Sequence, residues 1–218
     1  GRKMDEYSLY SWKLRILQKA NEESFKMKYD PSFLQKITSI TEIVHLSKFD
    51  DGPLMVIDFL KRNGIIVEIE PHFKKTYLDG AVFFDNKYNP VIGLTLRYDR
   101  IDNFWFTLMH EIGHIKLHYN ENITSFFDDL DLIEDIDSKE EEADEFARNS
   151  LIPLDAWENS PASKLKSPQA AQHLAENLNI HPAIVAGRMR YEFNTYRLLN
   201  KLIGNKEVRK LFNKIDWS

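Results

Sequence analysis

The stretch that decides the fold is His110-Glu111-Ile112-Gly113-His114, set inside the run from Ile101 to Tyr119. That run holds no proline and a single glycine, and Phe104, Leu108, Ile112 and Ile115 recur at helical spacing. Asp102 falls near the start, where an acidic side chain suits the helix dipole. The spacing predicts one helix through the motif. On a helix, residues four apart lie on one face, so His110 and His114 can offer two imidazole nitrogens to a single metal ion. Glu111, one step round, can reach a water at that ion and take its proton. A core helix that happens to carry two histidines is the plainer alternative. The five-residue motif falls inside a helical pattern, as metal chemistry requires, and this favours the site.

Two histidines do not complete a hydrolytic zinc site, which normally has three protein ligands and an open position for water. In the three-histidine metzincin pattern, HExxH continues as xxGxxH. Here Leu117 and Asn120 stand at those last two positions, which excludes it. His118 lies a helical rise of about 12 Å from His110, too far for all three histidines to share one ion, and is read as structural or as supporting a ligand. The third ligand is therefore a carboxylate from the acidic segment that follows. Ser138 and Glu141 read as a capping box, so a second helix is expected to begin near Lys139. Its apolar stripe is Ala143, Phe146, Ala147, Ser150 and Leu151. Glu140 lies on the buried edge of that stripe, and Glu141 and Glu145 fall with Arg148 on the solvent side. Asp144 shares the face of Glu140 and suits a group that accepts a hydrogen bond from a ligand histidine. Glu142 is the alternative to Glu140. Asp128, Asp129, Asp131, Glu134 and Asp135 read as a solvated acidic stretch.

Working outward, residues from about Glu6 to Leu46 read as two polar-faced helices broken at Asp30-Pro31. Leu54 to Asn63 reads as another helix, closed by Gly64. The period then changes. Ile65–Glu70, Gly80–Phe84 and Pro90–Leu96 are three strand candidates, separated by turn residues such as Asp85-Asn86 and Asn89-Pro90. With no helix between them, they are expected to form a small antiparallel sheet. After the motif helix and the acidic helix, Pro168–Leu178 and Pro182–Glu192 read as helices, followed by a basic helical tail. The fold class expected is α+β, divided as an N-terminal helical segment (1–53), a catalytic domain (54–192) and the tail (193–218).

Composition narrows the function. With 218 residues, 43% of them hydrophobic, the chain is long enough for a real core. A net charge of −5 excludes a polycation adapted to nucleic acid. The absence of cysteine excludes disulfides, thiolate ligands and a cysteine nucleophile, leaving His, Asp and Glu to bind metal. No apolar run approaches the ~20 residues that span a bilayer, and no signal-peptide pattern opens the sequence. A cytoplasmic location is expected. Gly1-Arg2-Lys3-Met4 does not resemble a natural start, so residues upstream are expected too.

On these residues the chain resembles the ImmA/IrrE family of metallo-endopeptidases. The likeness runs from about Leu54 to Glu192. It includes Gly64-Ile65, Tyr77-Leu78-Asp79-Gly80-Ala81, Phe106-Thr107-Leu108-Met109 before the HEIGH motif, Glu140-Glu141-Glu142-Ala143-Asp144-Glu145-Phe146-Ala147, and Leu151-Ile152-Pro153. The resemblance implies a zincin-like α+β fold, Zn2+ bound by His110, His114 and Glu140, and an XRE-type helix-turn-helix repressor as the protein substrate. Cleavage would relieve repression of mobile-element, stress or DNA-damage genes. Asp144 stands where the family more often has Asn. Members are often fused to an N-terminal helix-turn-helix. Residues 1–53 contain no convincing one, so they are expected to be the end of a longer upstream region.

The resemblance implies peptide hydrolysis, with Glu111 as the base that takes a proton from water and passes it to the leaving amine. Tyr77, Arg97, His118 and Tyr119 are the candidates for stabilising the oxyanion. A competing reading is a DNA-linked regulator. Ala170 to Tyr191, with a turn at Asn179-Ile180-His181-Pro182, looks like a helix-turn-helix, and Arg188, Arg190, Arg197 and Lys201 lie in or after it. The basic residues do not gather on one clear face, so two packed helices closing the domain are preferred. A metal-bound but idle sensor is the third reading, against which the intact Glu111 argues.

Overall fold

A strand exposes alternate side chains to opposite faces, so a strand buried at every position must be covered on both. That is the state of β2 (Gly80–Phe84) and β3 (Pro90–Leu94). With β1 (Ile66–Ile69) they form one sheet in the order β1-β3-β2. On one face Ile66, Ala81, Phe83 and Val91 pack with Trp12, Ile16 and Ala20 of helix α1 (Glu6–Glu22). On the other, Val67, Ile69, Val82, Phe84, Ile92 and Leu94 join the main core with the motif helix α5 (Ile101–His118). Each large apolar side chain buried this way contributes roughly 1.5–3 kcal/mol. The computed structural model describes residues 5–22, 28–85, 89–118 and 133–217, with side chains in the last span given from 137.

The α+β class is as expected, but the sheet is mixed. β2 and β3 pair antiparallel, with Gly80 opposite Leu94, whereas β1 pairs parallel with β3, with Ile66 opposite Val91. The expectation of an all-antiparallel sheet is therefore corrected. The chain leaves β1, crosses to the far edge to make β2, and returns by a hairpin to fill the centre. A parallel pair needs a long connection and not necessarily a helix, and here β2 itself lies within it.

α1 is anchored by more than its apolar stripe. The Trp12 indole donates to the Glu70 carbonyl (3.0 Å), and Arg15 and Lys19 grip the buried Glu70 carboxylate (2.8 and 2.6 Å). The break at Pro31 gives two further short helices, α2 (Ser32–Gln35) and α3 (Ile37–His45). α4 (Gly52–Arg62) ends before Gly64, whose φ of 82° lies in the left-handed region that favours glycine. After α5 come α6 (Ile133–Leu151), the short α7 (Leu154–Glu158), α8 (Pro168–Leu178) and α9 (Pro182–Glu192). α6 starts before the capping box at Ser138, so helix runs through the position where an N-terminus was expected.

The expected helical tail is not helical. After α9 the described residues form turns and one 3-10 turn at Arg209–Leu211. Asn194, Leu199, Lys206 and Gly204 take positive φ values, which a right-handed helix does not allow. Their backbone is satisfied elsewhere. The amides of Val208 and Arg209 donate to the Asp99 carboxylate, and that of Lys206 to the Asp99 carbonyl, just ahead of α5. None of the described helices is long and apolar enough to cross a membrane.

Candidate metal centre

α5 and α6 run in opposite senses, and the closeness of their crossing follows from small residues. A methyl group on Gly113 would meet the Phe146 ring at 2.9 Å and the Ala143 backbone at 3.2 Å. With glycine and alanine at the crossing, the backbones approach closely enough for carboxylates of α6 to reach imidazoles of α5. His110 and His114 stand one turn apart, and their Nε2 atoms lie 3.0 Å from each other. Glu140 completes the cluster. Its Oε2 is 3.1 Å from His110 Nε2 and its Oε1 is 3.3 Å from His114 Nε2. These are the residues that, among those described, gather donor atoms tightly enough to hold a metal ion.

The neighbouring residues also fall where the helical phase suggested. Asp144 Oδ1 lies 2.8 Å from His110 Nδ1. His118 does not join the three donors. Its Nδ1 lies 3.2 Å from His114 Nδ1, and its Nε2 lies 3.0 Å from Glu142 Oε2. Glu142, the alternative to Glu140, is thus engaged one turn further along α5. The Glu140 side chain is 55% exposed, so the cluster is open to solvent on that side.

Electrostatics show what the donor set wants. Burial opposes a charge on His110, yet its hydrogen bonds to Asp144 and Glu140 outweigh that and raise its pKa to about 10. Burial pushes the His114 pKa down. Hydrogen bonds from His110 and His114 hold the Glu140 carboxyl well below the usual range, against the opposing effect of burial. Two bare imidazole nitrogens 3.0 Å apart would repel each other unless a cation lies between them. In the metal-free chain a protonated His110, favoured by its bonds to Asp144 and Glu140, can supply one. A metal ion is the other cation that two imidazoles and a carboxylate suit.

Glu111 is 5% exposed, and burial raises its pKa to about 8. It faces β2, where a methyl group on Gly80 would come within 2.7 Å of Oε1 and 2.8 Å of the Thr107 methyl. Glycine at the head of the strand therefore gives this carboxyl its room. The sequence reading placed Gly80 at the start of a strand and within the Tyr77–Ala81 motif of the resemblance, and gave it no part in the site. Nearby Asp79, itself raised by burial, adds negative field to Glu111 and pairs with Arg97 at 3.1 Å. Of the oxyanion candidates, Arg97 is held by this pair and lies over the Tyr98 ring, while Tyr77 is 37% exposed with a left-handed φ of 50°. Tyr119 lies outside the described residues, as do Asp128, Asp129 and Asp131 and the side chains of Glu134 and Asp135.

The helices proposed as a DNA-binding pair are present, with the turn made by Asn179 in the left-handed region and by His181 capping α9. Arg188 and Arg190 are not on the surface, whereas Arg197 and Lys201 are exposed. Arg188 is 9% exposed, donates to the carbonyls of Ile152 (2.9 Å) and Arg148 (3.4 Å), and stacks on Trp157. Arg190 is 6% exposed and donates to the Tyr196 carbonyl. Contact of these two with DNA phosphates is corrected: their donors are directed into the protein.

An HExxH helix laid against a small mixed sheet, with a carboxylate supplied by the next helix, defines a metallopeptidase domain of zincin-like type. The family model of the IrrE N-terminal-like domain (Peptidase_M78) matches residues 60–189, from the end of α4 through most of α9. That is more than half of the chain, which belongs to this metallopeptidase family. No curated protein matches the chain.

Proposed function

We propose that the protein is a zinc-dependent endopeptidase whose substrate is an XRE-type repressor, with Zn2+ held by His110, His114 and Glu140. The observation that carries the metal is the spacing of the donors. One donor atom from each of the three residues lies within 4.8 Å of the others. The two Nε2 atoms are 3.0 Å apart, and the Glu140 carboxylate sets one oxygen 3.1 Å from His110 and the other 3.3 Å from His114. These distances are on the scale of the roughly 3.3 Å that separates ligands held about 2.0–2.1 Å from a tetrahedral zinc. When bound, zinc supplies Lewis acidity toward water and the scissile carbonyl. The chain's own residues do the rest. Asp144 orients His110. Glu111, confined by Gly80 and Thr107, takes the proton of the attacking water and delivers it to the leaving nitrogen. Once it has lost its proton, a carboxyl that burial keeps from charging is a stronger base than an exposed one, so it takes the proton of water and returns it in the next step.

The repressor as substrate follows from the family resemblance, and its test is direct. An XRE-type repressor, incubated with the purified protein, should be cleaved at one site, and a chelator should stop the cleavage. Glu111→Gln should lower the rate by about 10²–10⁴-fold, the usual contribution of a positioned acid–base group. An uncleaved repressor under conditions where a generic peptide is hydrolysed would remove the substrate assignment and leave the enzyme.

A further inference from the structure

Beside the metal centre, residues of α5, α6 and α9 line a cavity of about 280 Å³. Two of these residues touch the centre itself. Asp144 bonds to His110 at 2.8 Å, and the Phe106 ring lies 6.4 Å, centre to centre, from the His110 imidazole. Much of the remaining wall is apolar. Leu151, Ile152 and Ile184 are buried and form its deep part, while Tyr191 and Tyr196, 60% and 64% exposed, stand at its mouth. The charges in the wall are mostly engaged: Arg100 pairs with Asp102 at 2.9 Å, and Arg188 donates to two backbone carbonyls. Arg148 differs. Among the described residues its guanidinium has no carboxylate partner, and it lies over the Tyr191 ring, 5.3 Å from the ring centre. A second cavity, of about 460 Å³, adjoins the first at Asp144, Arg148, Arg188 and Tyr191, so the hollow continues outward past Arg148.

We infer that this cavity receives the side chain of the substrate residue next to the scissile bond, and that it selects a large apolar one such as leucine, methionine or phenylalanine. Arg148, at the mouth, donates to a backbone carbonyl of the same peptide. The inference rests on the peptidase reading above. An apolar cavity of about 150 Å³ already takes a benzene ring, so there is room here for an aromatic or branched side chain. A charged side chain would lose its water against the apolar depth of Leu151, Ile152 and Ile184, which disfavours it. Reach is short. A peptide advances at most about 3.6 Å per residue, so a bond held at His110, His114 and Glu140 has a flanking side chain close to a wall that touches His110. Arg148 has several N–H groups and a mouth position, which suits a donor to the peptide backbone and not to the buried side chain.

Two measurements test it, one of binding and one of cleavage. In the first, the zinc-loaded Glu111→Gln chain, which lacks the base and so spares the probe, is followed by methyl NMR. It is titrated with a blocked alanine tetrapeptide carrying one phenylalanine, and separately with the all-alanine tetrapeptide. The methyl signals of Leu151, Ile152 and Ile184 should move with the first peptide and stay with the second. In the other, the zinc-loaded wild type digests a random octapeptide library, and the cut sites are read by mass spectrometry. Leucine, methionine and phenylalanine should exceed alanine at one of the two positions flanking the cut by at least about 10-fold. Ile184→Phe, which fills the cavity, should move that preference toward alanine with zinc content unchanged. Arg148→Ala should raise KM for a phenylalanine-containing octapeptide by about 10–100-fold, the loss expected for a hydrogen bond from a charged donor, with kcat and the residue preference kept. Arg148→Lys should recover part of that loss. If Ile184→Phe does not fold, the methyl titration and the Arg148 variants decide. Equal shifts with both tetrapeptides, or a library profile with no preference or an acidic one, would overturn the assignment. An intact library together with the expected methyl shifts would overturn the peptidase reading instead, and leave the cavity as an apolar binding site.

Discussion

On α6, the Glu140 and Asp144 side chains are 55% and 47% exposed and reach across to the imidazoles of α5. On α9, Arg188 and Arg190 are 9% and 6% exposed and turn inward to carbonyls and aromatic rings. In the sequence α6 carries a run of acidic residues and α9 a pair of arginines. In the fold the first set faces nitrogen atoms that can still bind a cation, and the second is buried against carbonyls and aromatic rings of the interior. A charged residue is a candidate for chemistry only when its partners keep an open valence. That property belongs to packing and not to residue type.

The sharpest way to break this comparison is to separate the helices that make the first set. Gly113→Leu drives a side chain into Phe146 and the Ala143 backbone, so it should cost about 1–3 kcal/mol of stability or more, and should abolish tight metal binding. Thermal unfolding and chelator competition would check both. Unchanged metal affinity would mean that the close crossing does not build the site. The matching change in the second set is Arg188→Ala. It strips the Ile152 carbonyl of its donor and should destabilise by about 1–3 kcal/mol, while metal affinity stays as it was. A stable variant with altered DNA binding would instead return this arginine to the surface.

A smaller effect concerns Glu111 and pH in the metal-free protein. In the fold Glu111 keeps its proton up to about pH 8, whereas in the unfolded chain it loses it near 4.5. Unfolding therefore releases a proton across that window, and this group makes stability fall as pH rises through it. Glu111→Gln has no such proton to lose. Its stability relative to the wild type should improve steadily from pH 5 to about pH 8 and level off above that. Denaturant melts across the range would show it, and a difference that stays flat with pH would remove the buried-carboxyl account.

Much of the centre was legible because it depends on helical spacing alone. His110 and His114 share a face by their separation of four residues. Glu140 and Asp144 were singled out by the apolar stripe through Ala143 and Ala147, both of which are fully buried. What escaped the sequence reading depends on contacts distant in the chain. The parallel pairing of β1 with β3 reflects where β2 lies, and local pattern does not encode that. The bond between His118 and Glu142, the space Gly80 leaves for Glu111 and the inward turn of Arg188 each need two elements to be docked first. The tail was misread because its basic, helix-compatible composition yields to the bonds its backbone amides donate to the Asp99 carboxylate.

The central claim is that two helices bring three donors to one zinc ion, and metal content tests it most directly. Protein purified in the presence of zinc and dialysed should carry close to one zinc per chain, as measured by elemental mass spectrometry. The paired variant His110→Ala/His114→Ala, prepared alongside and shown to be folded, should carry essentially none. Full zinc occupancy in that variant would contradict the account.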